Sequence, residues 1–391
     1  MKLLSVLLLQ LGVALSLTGS SRCWAVDRAE QALPTFEVVW RTPMVVKPES
    51  YWKPREHGAV IADPSGQTLY VPCTGGVRAV QASNGKEIWR FDTPEHVDGT
   101  PALFAGTLYA ATTAGAVYAL DAASGAPVWA QPTRLEAGVE APLAADITQV
   151  YLVADPGAVI ALDRMTGRPA WRYSAEVTRD FLIEGQGGVL PYGKLVVAGL
   201  PNGKLVALAV RDGGLTWSVD LANTARSHYA DIDSTPVLVK RPQGHGSKEK
   251  FAGDWLLAAS HSGGLFAVTA SEGAVVWQIK VEAMGQPVVR DGFVYAVSSL
   301  GELHKLELAS GRRVFARKWA GAVSGQLAVT DASRGLVLVP NEGGLDAAAM
   351  TDGAQMARAM NENGYFAAPL LLGGRVYSLS NGGILYAMAL H

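Results

Sequence analysis

Ala119-Leu120-Asp121, followed by Gly125 and then Trp129, recurs as Ala161-Leu162-Asp163, Gly167 and Trp171 at the same offsets. Weaker copies stand at Ala79/Gly85/Trp89, Ala207/Gly213/Trp217, Ala267/Gly273/Trp277, Leu306/Gly311/Phe315 and Ala347/Gly353/Ala357, and a half-copy, Tyr386-Ala387-Met388, runs into the C-terminus. The steps between the glycines are 40, 42, 46, 60, 38 and 42 residues. A period near 40 residues means one supersecondary unit stacked many times.

One unit reads as strands over 107–112, 116–121 and 126–130, separated by turns at Thr113-Ala114-Gly115 and Ser124-Gly125. β-Branched and aromatic residues bounded by Gly, Ser, Asn and Asp carry this reading. The glycine supplies a positive φ, and the aspartate caps the turn N–H groups. The tryptophan is a large apolar body suited to the gap between neighbouring units. Pro127 and Pro169 sit in the third strand of their units. Proline cannot donate to a central ladder, so that strand is expected at the outer edge. A fourth strand precedes each unit and often begins at proline, as in Thr100-Pro101-Ala102-Leu103, Thr235-Pro236-Val237-Leu238 and Gln286-Pro287-Val288-Val289.

Four antiparallel strands repeated radially make a β-propeller blade. Seven units carry the glycine turn, and the eighth, residues 364–391, stops after its third strand. The isolated strand Phe36-Glu37-Val38-Val39-Trp40, which ends in a tryptophan, is expected to complete it. The expected fold is therefore all-β, an eight-bladed β-propeller with four-stranded antiparallel blades. Its last blade is closed by the N-terminal strand, which protects a sheet edge.

The chain has 391 residues, 49% of them hydrophobic, enough for a large core. Length alone suggests several domains, but the repeat overrides that prior, because repeat arrays grow as one domain. Lys2 and the apolar run over 3–17 have the form of an export signal, with Cys23-Trp24-Ala25 as a small-x-small cleavage site. The expected organisation is a signal peptide over 1–25 and a propeller over 26–391. Loss of Lys2 and Arg22 takes the formal charge from −2 to −4. Nucleic acid is not an expected partner, since that would need a basic stripe. Cys23 offers an alternative fate as a lipid anchor, although Arg22 stands where lipoprotein signals carry a small residue. Cys73, in a strand, reads as a small buried hydrophobe.

No catalytic constellation is evident. The seven histidines show no metal-ligand spacing, and neither a Gly-x-Ser-x-Gly elbow nor a phosphate-binding loop occurs. No metal site, no cofactor and no catalytic residue are expected. Functional residues concentrate on loops held by rigid scaffolds. Two segments that break the repeat are the candidates. Residues 223–236 contain Asp231 and Asp233 leading into a strand; residues 177–188 contain the apolar Phe181-Leu182-Ile183. A third irregular stretch, 240–250, reads as a hairpin tip.

The Ala-x-Asp-x-x-x-Gly-x-x-x-Trp phrase resembles the tryptophan-docking repeat of PQQ-type propellers, over nearly all of residues 36–391. That group includes quinoprotein dehydrogenases and the BamB family of the outer-membrane β-barrel assembly machine. Residues 192–217, and Asp231-Ile232-Asp233-Ser234-Thr235-Pro236 beside that family's Asp-Val-Asp-Thr-Thr-Pro run, resemble BamB. The resemblance implies a non-catalytic periplasmic scaffold at the inner face of the outer membrane. Such a scaffold binds the POTRA domains of BamA and other machine subunits, with unfolded outer-membrane proteins as further candidates. It assigns partner binding to Asp231 and Asp233. A second contact loop, Leu-x-Leu-Arg-Gly-Glu in the family, corresponds to Phe181-Leu182-Ile183-Glu184-Gly185-Gln186, which adds Phe181, Ile183 and Glu184. Glu184 reverses the charge of the family's arginine. The alternatives are a PQQ-dependent dehydrogenase, which typically carries an adjacent Cys-Cys pair that this chain lacks, and an envelope propeller with another partner.

Overall fold

A computed structural model describes residues 34–45, 56–174, 187–222, 231–240, 253–319 and 323–391. These residues form eight four-stranded antiparallel sheets and no helix. Blades 1 to 7 span residues 61–92, 102–134, 144–174, 189–220, 237–279, 288–318 and 328–360 in chain order. Blade 8 takes its three inner strands from residues 370–390 and its outermost from Phe36–Pro43. The N-terminal strand pairs antiparallel with the C-terminal one, from Phe36 opposite Leu390 to Pro43 opposite Ile384. The closure read from the sequence is the one observed.

The core is annular. Eight apolar clusters are present, and each joins two neighbouring blades. One of them packs Leu69 and Val71 of blade 1 against Tyr377, Leu379 and Leu385 of blade 8, so the ring is shut.

The repeated phrase explains these interfaces. Gly125 has φ +74° and Gly167 φ +73°, a region that favours glycine. Asp121 Oδ1 accepts from Ser124 N at 2.8 Å, and Asp163 Oδ1 from Thr166 N at 2.8 Å, as turn caps. The tryptophan of each of blades 1 to 5 lies on the glycine of the next, and in blade 6 Phe315 takes the same place on Gly353. A Cβ built on Gly125, Gly167 or Gly213 would stand 2.6–2.7 Å from the ring of Trp89, Trp129 or Trp171. The indole N–H of these residues then donates to the carbonyl three residues before that glycine: Ala122 at 3.0 Å, Arg164 at 3.0 Å and Val210 at 2.7 Å. Trp40, carried by the N-terminal strand, docks in the same way on Gly85 and donates to Ala82 O at 3.2 Å. In blade 7 the docking residue is Ala357. Its neighbour, blade 8, has no third-to-fourth turn on which an indole could dock, because both chain ends meet there.

Proline marks the edges as expected. The strand Pro169–Ser174 is outermost in its sheet. The strand expected over 126–130 is a correction. Only an isolated bridge, Leu120 to Pro127, and the short strand Thr133–Arg134 stand there. Pro127 and Pro132 both lack the N–H a continuous ladder needs. Trp129 keeps its docked position because Val128 N still donates to Ala119 O at 2.7 Å. Cys73 is fully buried, and burial pushes its thiol up to about 12.

Gly167→Ala adds a methyl group in a left-handed conformation against the Trp129 ring and is expected to lose about 2–4 kcal/mol in urea titration. Deletion of residues 375–391 removes two strands of the closing blade, and its near-ultraviolet circular dichroism should show no cooperative melting. A native-like transition would refute closure as the source of ring stability.

Candidate functional site

Strands alternate in direction, so each blade has two ends. The first-to-second and third-to-fourth turns lie on one face of the ring. The second-to-third turns and the blade-to-blade crossings lie on the other. Asp231 and Asp233 belong to the crossing from blade 4 to blade 5 and occupy the second face. Phe181, Ile183 and Glu184, in the crossing from blade 3 to blade 4, lie outside the described residues, as do 223–230 and 241–250.

The Asp231–Pro236 run is stitched into the ring. Ile232 is buried among Val197, Leu205, Trp217 and Leu256. Gly199 makes room for it, since a Cβ there would come within 2.3 Å of Ile232 Cγ2. His261 N donates to Asp231 O at 2.8 Å. Ser234 Oγ accepts from Ala259 N at 2.8 Å. Thr235 exchanges two bonds with the Gln286 amide of the following crossing: its N–H donates to Oε1 at 2.8 Å, and its carbonyl accepts from Nε2 at 3.0 Å. Thr235 Oγ1 also accepts from Gly188 N at 2.8 Å.

This is no solvated acidic loop. Asp231 is only 3% exposed, and Asp233 is partly exposed. Burial pushes the Asp233 carboxyl up to about 8, and the Asp231 charge adds to the rise. Burial also pushes the His261 imidazole down, against the opposing pull of Asp231 and Glu282. Near neutral pH the Asp233 carboxyl is therefore largely protonated.

Two further carboxylates share this register. Asp98, Glu140 and Asp233 each stand four residues before the innermost-strand residue (Ala102, Ala144, Val237) that pairs with Tyr109, Tyr151 or Leu257. The crossings into blades 2, 3 and 5 thus present acids at one depth on one face. Sequence reading did not single out Gln286, His261 or Gly199. Only Gln286 left a signal, because it precedes Pro287 as Thr235 precedes Pro236. Among the described residues no cluster of three or more His, Cys, Asp or Glu has the geometry to hold a metal ion.

A family model described as outer membrane protein assembly factor BamB matches residues 73–317. The protein of that name from Xanthomonas campestris pv. campestris is 29% identical over 354 residues, which are 86% of this chain and 81% of that protein. The crystal structure of BamB from Moraxella catarrhalis superposes with a TM-score of 0.75 at 17% identity, over 90% of this chain and 99% of that one. A quinohemoprotein alcohol dehydrogenase from Pseudomonas putida HK5 superposes with a TM-score of 0.71 at 14% identity, over 90% of this chain and 76% of that one. At such identities the structural likenesses show the fold.

The Asp233 ionisation has a measurable consequence. The native state keeps a proton that the unfolded chain releases near its ordinary value of 3.8. The native form thus binds more protons between about pH 4 and pH 8, and this group's contribution to stability falls as pH rises through that window. Asp233→Asn should be more stable than the parent by at least about 1 kcal/mol at pH 8, with the difference vanishing near pH 4. A pH-independent difference in urea titrations would contradict the burial argument.

Proposed function

Since the chain belongs to the BamB family of outer membrane protein assembly factors, we propose that it acts as a non-catalytic scaffold of outer-membrane β-barrel assembly and binds BamA through its POTRA domains. The observation that carries this reading is the Asp231–Pro236 run, held rigid by hydrogen bonds from three neighbouring segments on an acid-lined face. A fixed Asp231 carboxylate beside a protonated Asp233 suits a partner surface that offers a basic group and a hydrogen-bond acceptor, and sets its register. Asp233 is the group nearer solvent; the buried Asp231 acts through its field and its backbone contact to His261. Phe181, Ile183 and Glu184 are proposed to line the neighbouring contact. The place of work is the periplasm, at the inner face of the outer membrane, with residues 1–25 as the export signal. Other machine subunits and unfolded outer-membrane proteins are further proposed partners.

Because Asp231 is buried, the informative variants are isosteric. Asp231→Asn, alone and with Asp233→Asn, is expected to weaken binding to the POTRA domains of the same organism's BamA about tenfold or more at moderate salt, while both proteins melt cooperatively. Titration calorimetry with the full chain decides the matter. Unchanged affinity in folded variants removes the pair from the interface, and failure of the parent protein to bind removes BamA as the partner.

A further inference from the structure

The two turn tips of blade 3 depart from the repeat. Two residues before the docking glycine the other turns carry Ser83, Ala123, Arg211, Ser271, Ala309 and Thr351; blade 3 carries Met165, which is 66% exposed. The residue before it is apolar in every other turn and is Arg164 here. The first-to-second turn of the same blade presents Ile147, 75% exposed. Arg164 ties the two tips together. Its Nε donates to Ile147 O at 3.1 Å, its backbone N to Thr148 O at 3.0 Å, and its guanidinium carbon sits 5.4 Å from the centre of the Phe104 ring of blade 2. The apolar tips are thus preorganised on adjacent protrusions.

We infer that this corner docks on an anionic phospholipid surface. Large apolar side chains at the tips of convex turns suit a soft interface that closes around them, whereas a rigid protein partner would need a matching concavity. The corner is flanked by basic groups: Arg164, Arg168 and Lys194 on the adjoining turn, the last two exposed. The neighbouring carboxylates of Asp146 and Asp163 face back onto turn N–H and hydroxyl groups. The direction of the chain agrees. Phe36 opposes Leu390, so the chain enters the ring on the face that carries these tips, opposite the Asp231–Asp233 face. The inference rests on the assembly-factor reading only in placing the protein beside a membrane.

The test uses the processed chain, residues 26–391, which carries neither the apolar run over 3–17 nor Cys23, and vesicles of equal parts phosphatidylethanolamine and phosphatidylglycerol. Ile147→Ser with Met165→Ser should reduce co-sedimentation with vesicles about tenfold or more, the factor expected from withdrawing most of an Ile or Met side chain from an apolar phase. Serine already stands at the Met165 position in two other turns, Ser83 and Ser271, so the variant should keep its melting temperature. The control pair Ile88→Ser with Val314→Ser, half-exposed on outer strands, should not change sedimentation. An environment-sensitive fluorophore on Ile147→Cys should shift to the blue on these vesicles and less on vesicles of phosphatidylcholine alone; the buried Cys73 will not compete for the label. Equal sedimentation of parent and tip variant, or no fluorophore shift, overturns the proposal. Loss of BamA binding by the tip variant with vesicle binding intact assigns the corner to a protein instead. The Asp231/Asp233 variants report on the opposite face, so either reading can fail alone.

Discussion

An indole lying on a neighbour's glycine is the contact on which the rest of this ring depends. No blade holds a core of its own; each apolar cluster is shared by two blades. A free blade would leave its tryptophan and both inner faces in water, and burying such a side chain is worth about 1.5–3 kcal/mol. The blades are therefore stable only as neighbours, and the set is complete only when the last meets the first. The glycine is required twice over at each joint, by its positive φ and by the ring atoms that exclude a Cβ. The indole N–H must also be satisfied once buried. The turn supplies a carbonyl at a fixed offset to Trp40, Trp89, Trp129, Trp171 and Trp277, so there one short phrase fixes the turn, the packing and the hydrogen bond together, whereas Trp217 keeps the packing without the bond.

That economy is why so much of the fold is legible in the sequence. The offsets Asp–Gly–Trp recur because the joint geometry recurs, and counting them counts the blades. The lone Trp40 strand and the unfinished last unit are complementary halves of one sheet, a relation visible from the order of the elements alone. Two units lack the tryptophan: Phe315 takes the indole's place on Gly353, and Ala357 faces a blade that has no turn to receive one. The outer strand of blade 2 departs from its sequence pattern because Val128 and Trp129 look like strand residues while Pro127 and Pro132 remove two of the donors a ladder needs.

The site is legible as a position and illegible as an environment. Asp231-Ile232-Asp233 breaks the repeat, which marks it. Its composition reads as a polar turn, yet Ile232 pins it into the core beside Gly199, while Ala259 clamps Ser234 and Gln286 clamps Thr235. Those partners come from three other segments, so no local pattern announces them. Burial then changes the chemistry: a carboxyl that would be charged in a turn holds its proton near neutrality beside its neighbour.

Burying acids is costly for folding, and no metal-binding cluster offsets that cost among the described residues. The role proposed for the arrangement is recognition. Asp98 and Glu140 share the register of Asp233 on this face, and the buried Asp231 charge lies against low-dielectric walls that strengthen and focus its field outward. A rigid frame keeps that field fixed in direction, because the crossings are bonded to the strands they join. The opposite face has the reverse character in blade 3, with apolar tips and basic flanks. Loops on the two faces are separated by the length of a strand and cannot exchange roles. A ring built this way holds one partner at a set distance and orientation from whatever occupies its other face, and rigidity alone suffices for that task.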